Sequence, residues 1–284
     1  MNTQTLTQAL SSPLSSPLPV TAPAGAGRWR ARAAILHAAL GLLAPLALLG
    51  LWQLAHSLEW IPVQILPSPQ RTWQTFWELY EGGELRANLL ISLERVAWSV
   101  LAGGLSGLAL GFAIGLSPRA RAYLYPSFEV FAQFPVIGWI PLLMLFLGID
   151  EALKIVAISL AVAVPVVVNT YKGILDIPGT LLEVGRVYRF SARQSLLRVV
   201  IPAASPAIFG GIRQGVMQAW LLLIFVELLA SSEGLGFLMI WARQVMQLDI
   251  VFVAIVLIGV IGYLLDWALR QVEDHFNAWQ PKGR

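Results

Sequence analysis

Long apolar runs, barely interrupted by charge, dominate the sequence from residue 33 onward. They fall at 33–55, 89–116, 128–147, 153–168, 207–229 and 250–269, and most match the ~20 residues a helix needs to cross a hydrocarbon core. A soluble globule carries about a quarter of its residues as charges, whereas here 12% are charged and 57% hydrophobic. That leaves too little polar surface to cover a water-soluble fold. Membrane barrel strands would alternate over about ten residues, and these runs do not alternate. Helices that satisfy their own backbone hydrogen bonds remain. The expected fold is an all-α membrane protein with six transmembrane helices.

The polar inventory excludes several functions. There is no cysteine, and His37, His56 and His275 are scattered without a neighbour at ligand spacing, so neither a metal centre nor a Ser-His-Asp site is expected. None of the three lysines (Lys154, Lys172, Lys282) is followed by Ser or Thr, so the chain lacks a GxxxxGK[ST] phosphate loop. If ATP drives this protein, another polypeptide binds it, and the chain itself is not read as an enzyme. The net charge of +3 is accounted for by basic residues flanking the runs, not by a nucleic-acid partner.

Residues 1–27, rich in Ser, Thr, Pro and Ala, read as a disordered cytoplasmic tail. Arg28, Arg30 and Arg32 then precede an apolar run longer than a signal-peptide core, so 28–57 reads as an uncleaved first transmembrane helix. Residues 58–87 form an external loop with an interfacial amphipathic helix. Ser68 can cap it, Pro69 suits its first turn, and Trp73, Phe76, Trp77 and Tyr80 make one aromatic stripe. Residues 88–275 hold five further spans and a loop at 172–202, and 276–284 form a cytoplasmic tail. With both termini inside, the basic residues of 28–32, 119–121, 172–198 and 270–284 share one side. Only Arg71, Arg86, Arg95, Lys154 and Arg243 lie outside or near outer ends. Pro135, Pro141 and Pro165 predict that the third and fourth spans are kinked or broken.

Within the spans, Gly103, Gly107, Gly111 and Gly115 line one helical face and invite close packing of a neighbouring helix. Polar residues that lipid disfavours are candidates for a translocation path: Gln133, Asn169, Gln214, Gln218 and Glu227. Gln214 and Gln218 share a face. Arg213, Trp220 and Glu227 recur every seven residues, but the two charges lie about 21 Å apart along a helix and cannot pair. Glu227 reads as the one strong acid inside a span.

The loop at 172–202 carries its own helix signals. Thr180-Leu181-Leu182-Glu183 and Ser191-Ala192-Arg193-Gln194 both fit a capping box, which predicts two short helices meeting near Arg189-Phe190. Apolar residues bordered by Glu183, Arg186, Arg193 and Arg198 have the composition of a docking surface.

This loop resembles the EAA motif of binding-protein-dependent ABC importer permeases, E-A-A-x-x-x-G with a later hydrophobic-x-Pro ending. Glu183-Val184-Gly185 takes the EAA place and Val200-Ile201-Pro202 the ending. NLLISLERV, GWIPLLMLFLGIDEALKI, VNTYKGI and VELLASSEGLGFL are similar to the nitrate/sulfonate/taurine/bicarbonate branch, and the resemblance runs over about residues 60–275. It implies a type I importer permease of the bacterial inner membrane. It further implies a coupling helix seated in a separate ATPase subunit, with Glu183, Val184, Gly185, Arg186, Arg189, Phe190 and Ser191 as coupling residues. The implied partners are two ATPase subunits carrying ATP and Mg, an extracytoplasmic solute-binding protein and a second permease copy. The implied cargo is a small oxyanion, an aliphatic sulfonate ahead of taurine, nitrate or bicarbonate. Two positions depart from the pattern. Arg189 stands where the family has glycine, at a cost if the backbone is left-handed there, and offers an ionic contact instead. Ala132 and Gln133 stand where many relatives place an arginine. The competing reading, a secondary ion-coupled transporter, would call for acid or histidine relays and repeated halves.

Overall fold

The computed structural model describes residues 26–62 and 64–276, and all regular structure among them is helical. The expected tails fall outside the described residues, except that Ala26, Gly27 and Phe276 are helical. The first helix, α1 (Ala26–Ser57), contains Pro45 and covers the expected first span. It stands as its own unit up to Ala55, and the rest of the chain from His56 forms the second unit.

The second unit begins with α2 (Pro69–Glu81), the expected amphipathic helix. Ser68 accepts a hydrogen bond from Arg71 N at 3.1 Å, and Pro69, which has no N–H to lose, opens the first turn. One face buries Thr72, Thr75 and Leu79, while Trp73, Trp77 and Tyr80 of the aromatic stripe are exposed. The stripe packs on itself, with Trp73 and Phe76 stacked at 5.6 Å and Phe76 and Tyr80 at 6.3 Å.

The bundle is built around α6 (Glu151–Leu175), which is clasped between α3 (Glu84–Leu116) and α8 (Ala192–Ala230). Its buried residues Ala157, Ile158, Ala161, Val162, Pro165 and Val166 repeat at helical spacing. They meet Val96 of α3 and Ala219, Trp220, Leu223 and Val226 of α8. The glycine stripe sets the α3–α6 approach. A Cβ at Gly107 would come within 2.9 Å of Val166 Cβ, one at Gly111 within 2.7 Å of Thr170 Cβ, and one at Gly115 within 2.7 Å of Ile174 Cδ1. A Cβ at Gly103 would collide with the Ser159 carbonyl. Gly211 of α8 meets Asn169 in the same way from the other side. These five positions bring three backbones together where larger side chains would hold them apart.

The prolines behave differently from one another. The third run breaks: α4 (Pro118–Gln133) ends at Phe134-Pro135, a 3₁₀ turn follows at Val136–Trp139, and α5 (Ile140–Leu147) leaves at 88° to α4. Pro141 only opens α5. Pro165 does not interrupt α6, contrary to the sequence expectation. It is buried within the helix, in a bundle where both flanks of α6 are packed, and such packing holds a helix together across a missing hydrogen bond.

After α6 come α7 (Gly179–Val187), then α8 with a π-helical turn at Leu196–Val200, α9 (Leu235–Gln244) and α10 (Leu248–Phe276). Among the described residues four helices are long and apolar enough to cross a membrane, or five if the bent α4–α5 pair is one span.

Candidate functional site

The loop between α6 and α8 folds into a short helix closed by a tight turn. At its start the expected capping box is absent: Pro178 occupies the cap position, and no side chain bonds the first turn. The helix begins one residue too early for Thr180 to serve as its cap. The second box is present, with Ser191 Oγ accepting from Gln194 N at 3.3 Å and Gln194 Oε1 accepting from Ser191 N at 2.9 Å.

Between them α7 ends in a Schellman motif. Phe190 N donates to Gly185 O at 2.9 Å and Arg189 N to Arg186 O at 3.0 Å, which places Arg189 at the left-handed position with φ +52°. A side chain there costs roughly 1–2 kcal/mol relative to ordinary helical backbone, so glycine is the usual occupant. The turn folds Phe190 back over Gly185. A Cβ at Gly185 would lie 3.6 Å from Phe190 Cδ2, which is ordinary contact, so an alanine also fits. Arg198 covers the Phe190 ring at 5.8 Å. Leu182 anchors the helix on an apolar cluster of Ile174, Ile177, Val200, Ala204 and Ile208. The outer surface is left bare: Val184, Val187 and Tyr188 are exposed, Val187 by 79%. Glu183, Arg186, Arg189 and Ser191 are exposed beside them, and Phe190 is half-buried. Such a surface mixes apolar side chains with unengaged charge, as docking faces do.

At the opposite end of the bundle lies a charge cluster built on Glu227 of α8, which is fully buried. Its carboxylate accepts from Ser92 Oγ at 2.8 Å, Arg95 Nη1 at 2.8 Å and Gly236 N at 2.9 Å. Arg95, 4% exposed, also donates to both oxygens of Glu151, at 2.8 and 2.6 Å, and to the Glu233 carbonyl at 2.8 Å. Lys154 Nζ reaches Glu151 at 2.6 Å. Two cations and two anions therefore balance, and they tie α3, α6 and α8 to the turn that leads into α9. Gly234, φ +107°, lies so close to Glu227 that a Cβ would fall on the carboxylate.

The remaining path candidates lie elsewhere. Asn169 of α6 donates to the Pro165 carbonyl at 2.8 Å and to Gln214 Oε1 at 3.3 Å. Gln214 and Gln218 are exposed on one face of α8, and Gln218 lines a cleft of about 380 Å³ with Pro135, Val136, Ile137, Leu221 and Phe225. Gln133 is exposed as the last residue of α4, beside the break. The structure thus gathers Asn169, Gln214 and Gln218 along one seam that runs to the α4–α5 break. Glu227 is held apart from them.

Three residues of the charge cluster, Arg95, Glu151 and Lys154, escaped the sequence reading as site residues. A signal for Arg95 existed. Counting back by fours from Gly103 reaches Ser99 and then Arg95, so the glycine face of α3 continues into a buried arginine. Nor is Glu227 the lone acid among the spans. Asp266 of α10 takes Arg213 Nε at 2.8 Å and pairs with Arg270 at 2.8 Å, and Glu273 takes Arg213 Nη1 at 3.2 Å. Arg213 is therefore neutralised by α10, while Trp220, seven residues on, donates to the Ile258 carbonyl at 3.2 Å.

Comparison with known proteins adds three findings. Residues 103–277 match the family described as "Binding-protein-dependent transport system inner membrane component". The chain is 38% identical over 240 residues to a putative aliphatic sulfonates transport permease protein, SsuC, of Bacillus subtilis (strain 168), covering 84% of this chain and 87% of the relative. It is 31% identical over 245 residues to the taurine transport system permease protein TauC of Escherichia coli (strain K12), covering 84% and 88%. In fold it is similar to a chain of the inward-facing MetNI methionine ABC transporter. The TM-score is 0.60 at 19% identity, over 70% of this chain and 98% of that one.

Proposed function

Since the chain belongs to the family of binding-protein-dependent transport system inner membrane components, a multi-pass permease family, we propose that it carries a small oxyanion, foremost an aliphatic sulfonate, inward by alternating access. The sulfonate and taurine permeases among its relatives support that substrate class. The amides of Asn169, Gln214 and Gln218, with Gln133 at the break, suit it chemically. Neutral N–H donors can hold sulfonate oxygens without the trapping strength of a fixed cation.

In this reading α1, α3, the α4–α5 pair, α6, α8 and α10 are six spans, with both termini and the 172–202 loop in the cytoplasm. ATP and Mg sit on two separate ATPase subunits. Their movements reach the spans through Glu183, Val184, Gly185, Arg186, Arg189, Phe190 and Ser191. One chain offers one such loop and two ATPase subunits need two, so the permease works as a pair of identical chains. An extracytoplasmic binding protein presents the substrate at the Glu227 end.

The observation that carries this reading is the α7 surface: a rigidly closed helix whose Glu183 has no hydrogen-bond partner within the chain while Leu182 is anchored beneath it. Because Glu183 neither caps nor pairs, Glu183→Ala should leave insertion and melting within about 0.5 kcal/mol of wild type. Uptake of a labelled alkanesulfonate by cells that also supply the ATPase and binding protein should fall more than about tenfold, and ATPase co-purification should fall with it. Wild-type uptake and wild-type ATPase retention in that variant would reduce α7 to a helix resting at the membrane surface.

A further inference from the structure

We infer that Arg189 is an ionic contact to the ATPase subunit, its guanidinium pairing with a carboxylate on the rim of the surface that receives α7. The inference rests on the coupling reading above and concerns the one position of the loop whose backbone and side chain are at odds. The Schellman turn demands a left-handed residue after Tyr188, and Arg189 supplies it at φ +52°. Glycine would close the same turn without strain, and asparagine nearly so. The arginine therefore adds nothing to the turn itself, and its worth must lie in the guanidinium.

Within the chain the guanidinium has no partner, since neither a hydrogen bond nor an ion pair engages it, and the residue is exposed. Two ordinary duties are already filled by other residues. Arg186 in the last turn of α7 complements the helix dipole, and Arg186, Arg193 and Arg198 give the loop its positive character. Arg198 is occupied over Phe190, whereas Arg189 projects from the turn that separates α7 from Ser191.

Its immediate neighbours Val187 and Tyr188 are 79% and 71% exposed. A cation bordered by bare apolar side chains matches the rim of a protein interface, where a planar fork of donors can take a carboxylate in two hydrogen bonds. Lipid phosphate would be served equally well by any loop arginine on unstrained backbone, so the strain favours a partner with one fixed position.

The test uses the full-length protein in detergent and its purified ATPase, titrated at low and at high salt. Arg189→Gly should resist heat at least as well as wild type, yet bind the ATPase about tenfold more weakly at low salt and with a shallower salt dependence. Arg189→Lys, which keeps a charge but loses the fork, should fall between them. If Arg189→Gly binds with wild-type affinity and salt dependence while Glu183→Ala does not assemble, the coupling loop stands and the role of Arg189 is overturned. If both variants bind like wild type, the docking surface itself falls. Unchanged ATPase binding with weakened adsorption to anionic vesicles would assign the guanidinium to lipid and overturn the inference.

Discussion

A carboxylate sealed from solvent needs donors that replace water, and Glu227 receives them from a hydroxyl, a guanidinium and a backbone amide. Each donor comes from a different segment, so the acid cannot be altered without disturbing all of them. Glu227→Gln keeps the shape but turns one acceptor into an N–H₂ group, which must face either Arg95 or Gly236 N, donor against donor. Melting in detergent should register a loss of about 1–3 kcal/mol. Glu227→Ala, which strands Arg95 against Glu151 alone, should cost about 3–5 kcal/mol. Pairing Arg95→Met with Glu227→Leu should recover part of that loss, because removing both charges leaves nothing uncompensated at this contact. A Glu227→Gln protein that melts like wild type would show that the carboxylate is not what holds the cluster. Polarity made Glu227 visible in the sequence, but its partner Arg95 lies 132 residues away and had been counted among the arginines near outer ends.

At the scale of helices, the glycine stripe offers an internal comparison. Gly104 and Gly107 lie on the same helix, but a Cβ at Gly104 meets nothing within 4 Å while one at Gly107 presses on Val166 and the Ala163 carbonyl. Gly104→Ala should therefore be neutral or gain up to about 1 kcal/mol from helix propensity. Gly107→Ala should lose about 1–3 kcal/mol by overpacking, read as separate shifts in thermal midpoint. Equal shifts would remove the α3–α6 contact as the reason for the stripe. Features of this kind were legible because they repeat: apolar runs, four-residue glycine spacing, and the Trp73–Tyr80 stripe each encode a helix and a face. What did not repeat was misread. Thr180 and Glu183 have the spacing of a capping box, yet the helix starts at Gly179 because Pro178 is already there. Pro165 has the chemistry of a breaker, yet packing on both sides carries α6 through it. In both cases neighbours in sequence or space overrode a local preference.

For the whole molecule, the charge-based orientation assigns the α7 end to the cytoplasm and the Glu227 end to the outside. The chain has no cysteine, so single introduced thiols report without background. Val187→Cys and Ser232→Cys place a thiol at exposed positions that support no helix cap. In intact cells an impermeant thiol reagent should label the second and spare the first, and permeabilised cells should label both. Labelling of Val187→Cys in intact cells would invert the molecule and remove α7 from the reach of any cytoplasmic ATPase.

The charge cluster also has a timetable. Arg95 belongs to a helix that is made early, and its counter-charges follow 56 residues later at Glu151 and 132 residues later at Glu227. At about 5–20 residues per second, the ribosome needs roughly 7–26 s to deliver Glu227 after Arg95. During that interval the guanidinium must stay within reach of headgroups or water, which its place in the early turns of α3 allows. The last acid to be synthesised thus closes the pocket around the first cation, so a nascent chain halted before residue 227 holds an arginine with nowhere to settle.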